Sequence, residues 1–325
     1  MHNQFERMFI LKSKVAYLVK PRQFEIREED LKIGRDQILI KMATCALCNY
    51  ELNHWEGLLG NLPMQLGHEG AGTVVEVGED VLRFEVGDKV TGPTGEFSEY
   101  NIGNDSDERL NLLTDNIDPK FGFSEPLKCV TTVLRSTVPE AGDFGVVVGC
   151  GPMGIWCIQG LCGNLLSGLI AVDVRDENLE MAKKYGATHT INSSAEDAEA
   201  RIKEITSGHM ADFVIEGTGI PNVVEQCMNY LRSKTGRLVV MSSFKKSADS
   251  FDLRLACRKG LRMICAHGSD SVNDDWRRSA QLINNGTFQS QELVTHTFRL
   301  EDINTAFEML ENKPKGYLKG MIIFD

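Results

Sequence analysis

Phe144-Gly-Val-Val-Val-Gly149-Cys-Gly151-Pro152-Met153-Gly154 is the stretch that decides how this chain folds. A β-branched run of the kind used in buried parallel strands passes directly into G-x-G-x-x-G. A helix-like segment follows to about Leu166, and a second apolar run, Leu169–Val172, stops at Asp173. Each glycine has its own mechanical task in a dinucleotide-binding turn. Gly149 makes the tight turn, Gly151 lets the backbone approach a pyrophosphate, and Gly154 lets helix and strand pack closely. The freed N–H groups and the helix dipole hold phosphates, so Pro152 and Met153 join the three glycines as expected cofactor contacts. Asp173 lies 19 residues after Gly154, where a carboxylate accepts hydrogen bonds from the adenosine ribose hydroxyls. It would repel a 2′-phosphate, which favours NAD over NADP. Arg175 could bind that phosphate and argues the other way, but is expected to pack beside the adenine.

The same region admits a competing reading. From Phe144 to Val172 there are 29 residues without a charge, which hydropathy alone would flag as a membrane span. Seven glycines, Pro152 and Gln159 interrupt it, so strand, turn, helix, strand is the better description. The whole chain has 325 residues, 42% hydrophobic and 25% charged, an ordinary globular balance with room for two domains. A net charge of −11 with no Lys/Arg-rich block gives no reason to expect a nucleic-acid or membrane partner. Nine scattered cysteines, an odd number, and no apolar leader in MHNQFERMFILKSK point to reduced thiols in a cytoplasmic protein.

Beyond Asp173 the αβ rhythm continues. Glu177–Tyr185 reads as an amphipathic helix closed by Gly186, and Phe213–Ile215, Leu238–Met241 and Met263–Gly268 read as further strands. Thr218, Ser242 and Ser243 follow such strands and are candidate contacts for the nicotinamide side of the cofactor. This places a nucleotide-binding domain at 139–270. Residues 10–103 differ in texture: VAYLV, QILIKM, GTVVEVG and GDKVTG are short strand-like runs with turn glycines, a β-rich pattern. Near the end, 274–285 and 301–312 read as amphipathic helices and Lys319–Phe324 as a closing strand.

Two polar clusters lie in the β-rich part. One is Cys45-Ala-Leu-Cys48-Asn-Tyr50-Glu51-Leu-Asn53-His54-Trp55, the other Gly67-His68-Glu69-Gly-Ala-Gly72 running on to Gly78 and Val81. A thiolate, an imidazole and a carboxylate close together make a zinc set, with an open fourth position where the site is catalytic. Taken alone, Cys45-x-x-Cys48 also fits a zinc knuckle or redox pair, and a lone His68 fits a core histidine.

The second cluster resembles G-H-E-x-x-G-x5-G-x-x-V, the signature of the zinc-containing medium-chain alcohol and polyol dehydrogenases. Over residues 14–325 the chain is similar to them in order as well. The resemblance implies an α/β protein in which a GroES-like β-rich catalytic domain, 1–138 with 271–325, flanks a Rossmann doubly wound parallel sheet at 139–270. It implies that Cys48 and His68 are ligands of a catalytic zinc. The third ligand is Glu69 of the motif or Glu125 of Glu125-Pro-Leu127. The latter matches the glutamate that sorbitol- and threonine-dehydrogenase-like members place near the metal, where alcohol dehydrogenases proper carry a cysteine.

The implied activity is oxidation of a secondary alcohol by zinc and NAD, on a polyol, sugar, cyclitol or amino alcohol. A zinc-free enone or quinone reductase and a nucleotide-binding protein without catalysis are the alternatives. Three departures from the family pattern stand out. Only Thr-Gly-Pro-Thr-Gly separates Val90 from Glu96, so the cysteine lobe for a structural zinc is absent and one zinc per chain is expected. Tyr50 stands where a Ser or Thr usually relays the substrate proton. Asn53 stands where the relay histidine is common, with His54 and Trp55 next. Tyr50, aided by Glu125, His54 or water, is then the expected general base, and Glu51 is expected to orient His68. Tyr50, His54, Trp55 and Phe97 are expected to line the substrate pocket. Relatives associate through the edge of the Rossmann sheet, which implies a homodimer or homotetramer.

Overall fold

The computed structural model describes residues 11–163, 165–247, 251–266, 268 and 272–325. The chain divides into two compact units, one reaching residue 125 and resuming at 290–325, the other spanning 126–289.

In the second unit six strands form one parallel sheet: Phe144–Val148, Gly168–Asp173, His189–Asn192, Phe213–Glu216, Arg237–Val240 and Arg262–Cys265. Counted one to six in chain order, they lie side by side as 3-2-1-4-5-6. Val146, Val147, Leu169–Val172, Phe213–Ile215 and Leu238–Val239 are buried, as a sheet covered on both faces requires. The uncharged 144–172 stretch is shared between two strands and the ten-residue helix Pro152–Leu161. That helix stops short of Leu166, with Gly163 in the left-handed region at φ +73°. Among the described residues no helix is long and apolar enough to cross a membrane. The last strand ends at Cys265; its expected extension to Gly268 passes through His267, outside the described residues.

The strand order reverses between Phe144–Val148 and Phe213–Glu216, where open α/β sheets bind ligands. Both strands leave the sheet through a glycine. A Cβ on Gly149, whose φ is +90°, would come 2.9 Å from the Gly217 carbonyl carbon, so the two chain exits touch. At the other end of this pairing, Gly145 stands opposite Phe213, whose ring fills the space a Cβ would need, 2.2 Å away.

The helices Glu125–Thr137 and Asn273–Asn284 fall almost wholly in this unit, whereas the sequence reading set its bounds at 139 and 270. The physical tie is Asp275. Its Oδ2 accepts from Thr132 Oγ1 at 3.0 Å, Arg135 Nη2 at 2.9 Å and the Val272 N–H at 3.1 Å.

The first unit is β-rich. A seven-stranded sheet runs, edge to edge, Val294–Phe298, Lys319–Ile323, Gln37–Ala46, Glu69–Val77, Lys89–Thr91 and Asn111–Leu113, with Tyr100–Asn104 also pairing to Gln37–Ala46. Leu11–Lys20, Gln23–Leu31 and Met64–Gln65 form a smaller sheet. Four aromatic side chains anchor the core. The Phe307 ring lies 4.9 Å from Phe24, 5.3 Å from Trp55 and 5.7 Å from Phe97. Because Phe307 belongs to the helix Ile303–Asn312, the returning C-terminal segment is bound into this core.

The Asp275 clamp gives a test of the second unit. Burial alone pushes this carboxyl up, but Arg135, the Val272 N–H and the Thr132 hydroxyl outweigh it and hold it below the usual range. A depressed carboxylate stabilises the fold above its unfolded pKa and loses that contribution as pH falls through the folded value. Asp275→Asn therefore costs about 2 kcal/mol at pH 7. Thermal melts of the two proteins should converge below about pH 4.

Candidate metal centre and nucleotide site

The short helix Asn49–Trp55 begins at Cys48, which caps it: the thiol accepts the Tyr50 N–H at 3.5 Å. Glu51, three residues on, returns a bond by accepting the Cys48 N–H on Oε2 at 3.1 Å. Its other oxygen, Oε1, is ion-paired with Nδ1 of His68, which immediately precedes the strand Glu69–Val77. One fully buried carboxylate thus fixes the Cys48 backbone and the His68 ring together. With Nδ1 committed, Nε2 is the free edge of His68, and it faces Glu125 Oε2 at 3.6 Å. The ligand atoms of Cys48, His68 and Glu69 all lie within 4.8 Å of one another. Glu125, at the start of its helix, stands beside this group without being one of the three.

Sequence reasoning gave no role to Lys319. It is buried, with Nζ 2.7 Å from Glu69 Oε2 and 3.1 Å from the Leu47 carbonyl oxygen. A lysine in the otherwise apolar run KGMIIF was the available signal. A buried ammonium needs a buried anion, and Glu69 is that anion.

The electrostatics are those of a site crowded with donors. Burial pushes the Cys48 thiol up to about 11; the Glu69 carboxylate adds to this and His68 opposes it. Burial alone would lower His68, but the Glu51 carboxylate, then Cys48 and Glu125, carry its imidazolium up to about 12. Burial keeps the Cys48 thiol protonated, and the carboxylates keep the His68 imidazolium paired. A divalent cation relieves that crowding by replacing the shared protons. Soft sulfur, imidazole nitrogen and carboxylate oxygen are the donors zinc takes in sites with a free position, so these residues fit the metal.

Other residues singled out in the sequence sit as follows. Cys45, the other half of the C-x-x-C, is fully buried and its thiol donates to the Gly95 carbonyl oxygen at 2.5 Å. Trp55 and Phe97 are fully buried in the aromatic core rather than exposed as walls of a pocket. Their apolar rings pack best against Phe24 and Phe307, and only Trp55 keeps a polar contact, Nε1 to Glu311 Oε2 at 3.3 Å. Tyr50 is 55% exposed, and its ring stands edge-on to His68 at 5.7 Å and to His54 at 4.9 Å. His54 is buried; its Nδ1 lies 3.1 Å from the Leu59 carbonyl oxygen.

In the second unit Gly149, Gly151 and Gly154 occupy three different environments. Gly149 takes the positive φ noted above. Gly151 caps the helix Pro152–Leu161, and a Cβ there would meet nothing within 4 Å. A Cβ on Gly154 would come 2.0 Å from the Gly149 carbonyl oxygen. The turn is thus closed by packing at Gly154 and open at Gly151, a cradle of the kind phosphates enter. Pro152 and Met153 are the first two residues of that helix.

Asp173 already serves the turn: Oδ2 accepts the Cys150 N–H at 2.7 Å and Asn178 Nδ2 at 3.2 Å, and Oδ1 accepts the Arg175 N–H at 2.9 Å. It ties the end of its own strand to the glycine loop. Thr218 donates from N and Oγ1 to Glu216 Oε1, and Ser242 Oγ accepts the Gly219 N–H at 2.9 Å. Both residues therefore brace the strand exits next to the topological reversal.

Comparison with known proteins agrees with both units. Residues 34–111 match the alcohol dehydrogenase GroES-like domain and residues 152–285 match the zinc-binding dehydrogenase domain. A sorbitol dehydrogenase of Halalkalibacterium halodurans is 27% identical over 313 residues, 86% of this chain and 90% of that protein. An L-threonine 3-dehydrogenase of Bacillus subtilis is 29% identical over 320 residues, 88% of this chain and 91% of its own. The crystal structure of 2R,3R-butanediol dehydrogenase from Bacillus subtilis superposes with a TM-score of 0.82 at 25% identity, covering 96% of this chain and 100% of that one. The two matched domains, in this order on a β-rich unit and a 3-2-1-4-5-6 parallel sheet, make the chain a member of the zinc-type medium-chain dehydrogenase/reductase family.

Proposed function

We propose that this protein is a zinc- and NAD-dependent dehydrogenase interconverting a secondary alcohol and its ketone, on a polyol, sugar, cyclitol or amino alcohol. The observation that carries the reading is the group Cys48, His68 and Glu69, with ligand atoms mutually within 4.8 Å and Glu51 bonded to two of its members. Cys48 and His68 would hold the metal with Glu69 or Glu125 as third ligand, leaving a position for the alcohol oxygen. Bound there, zinc supplies the Lewis acidity that lowers the pKa of the alcohol, and NAD supplies the hydride acceptor.

The rest of the work falls to the chain. Glu51 fixes the orientation of His68 from behind. Lys319 keeps Glu69 in place and neutralises its charge. Tyr50, beside His68 and more than half exposed, relays the hydroxyl proton as general base, its oxygen accepting that proton while its own passes to solvent, with the Glu125 carboxylate also at hand beside His68. Gly149, Gly151, Pro152, Met153 and Gly154 cradle the pyrophosphate, Asp173 faces the adenosine ribose with Arg175 near the adenine, and Thr218 and Ser242 lie toward the nicotinamide. We assign one zinc per chain with no structural zinc, and a homodimer or homotetramer as the working form. The nine free cysteines fit a reducing, cytoplasmic setting.

Elemental analysis of the purified protein should find about one zinc per chain, falling sharply in Cys48→Ala. About two per chain would mean that other cysteines form a second site, and none in protein never exposed to chelator would favour a zinc-free reductase.

Tyr50→Phe should lower kcat by at least about tenfold with the metal content unchanged. Wild-type turnover in that variant would remove Tyr50 from the proton path.

The glycine turn separates binding from folding. Gly151→Ala should stay within about 0.5 kcal/mol of wild-type stability. Titration calorimetry should show it weakening nucleotide binding by about tenfold or more. Gly154→Ala should instead fail at the level of folding, because its methyl meets backbone.

A further inference from the structure

Among the described residues, His54 beside the Cys48, His68 and Glu69 group carries a buried ring nitrogen without a hydrogen-bond partner. His54 lies on the helix Asn49–Trp55 and is 5% exposed. Its Nδ1 is 3.1 Å from the Leu59 carbonyl oxygen; a carbonyl only accepts, so Nδ1 is the donor and, in the tautomer that makes this bond, Nε2 is the acceptor edge of the ring. That Nε2 is buried with no hydrogen-bond partner among the described residues. The ring is also held in place: a Cβ on Gly60 would come 2.8 Å from Nδ1, so only a glycine lets the loop close over this edge. A buried, unpaired acceptor on a locked ring is unfavourable for folding alone and calls for a donor from elsewhere.

The donor has a route. Tyr50 stands edge-on to His54 at 4.9 Å and to His68 at 5.7 Å, so a single phenol ring separates the orphan acceptor from a candidate metal ligand. Tyr50 is 55% exposed and can turn aside at little cost in packing. An acceptor cannot pair with a carbonyl or a carboxylate, but it can take a hydrogen bond from a hydroxyl.

We propose that His54 Nε2 accepts a hydrogen bond from a second hydroxyl of the substrate, admitted by a tilt of the Tyr50 ring that leaves Tyr50 beside His68, so that His54 selects polyhydroxylated over simple secondary alcohols. This rests on the reading of Cys48 and His68 as the centre where the first hydroxyl is oxidised. The experiment uses two substitutions that divide the imidazole. His54→Asn keeps an N–H near the Nδ1 position for Leu59 and deletes Nε2. His54→Gln carries an amide out to the reach of Nε2. For each, kcat/KM is measured with propane-1,2-diol and with propan-2-ol on one preparation, because their ratio does not depend on the fraction of enzyme folded.

Wild type should prefer the diol by about tenfold or more, His54→Asn should erase most of that preference, and His54→Gln should retain most of it. A diol preference unchanged in His54→Asn, or a wild type that oxidises both alcohols equally well, overturns the role of His54 while leaving the metal-centre reading intact. A wild type that oxidises neither, nor any other secondary alcohol, overturns that reading and this inference with it.

Discussion

The site in the first unit hangs on the carboxylate of Glu51. It is fully buried; one oxygen accepts the Cys48 N–H and the other is ion-paired with His68 Nδ1. Cys48 closes the start of a helix and His68 leads into a strand twenty residues later, so nothing local makes them neighbours. Glu51 does, and in doing so it decides which nitrogen of His68 remains available. Removing this carboxylate would leave the His68 imidazole without its partner and the helix with half of its capping box, two losses that compound.

Around it the chain accumulates groups that a protein core normally excludes. Glu69 and Lys319 form a buried ion pair, Glu125 faces the open edge of His68, and the Cys48 thiol is pushed up to about 11 by burial and the nearby carboxylates. Replacing such an arrangement with apolar side chains often stabilises a fold, so its presence speaks for chemistry rather than stability. The aromatic cluster of Phe24, Trp55, Phe97 and Phe307 supplies the contrast in the same unit. It contributes burial and rigidity, and it binds the returning C-terminal helix into the core. The second unit achieves its purpose by the opposite means, removing side chains where the backbone must turn or approach a ligand.

Much of this was legible in the sequence. Gly149, Gly151 and Gly154 each imply a different backbone requirement, and the parallel sheet with its order reversal follows from that spacing and the strand-like runs around it. Gly67-His68-Glu69 and Cys48 marked the donors by residue type. What could not be read was which partner each polar group would choose. The capping bond from the Cys48 N–H to Glu51 depends on where the helix starts, and Asp173 turned out to accept the Cys150 N–H of the glycine turn. Lys319 was hidden because its partner, Glu69, lies 250 residues away in sequence. Trp55 was expected to line the substrate pocket, but the helix turns its ring toward Phe24 and Phe307. The helices Glu125–Thr137 and Asn273–Asn284 changed unit because Asp275 holds them together, a contact no periodicity displays.

The measurement that bears most directly on this account is X-ray absorption at the zinc edge of the metal-loaded protein. A centre built on Cys48, with Cys45 committed to the Gly95 carbonyl, predicts a single sulfur scatterer near about 2.3 Å and nitrogen or oxygen neighbours near about 2.0–2.2 Å. Glu51→Gln should disorder the nitrogen shell while leaving the sulfur distance in place. Two or more sulfurs would show Cys45 or another cysteine recruited to the metal. That result would contradict a site organised by Glu51 around one thiolate and one imidazole.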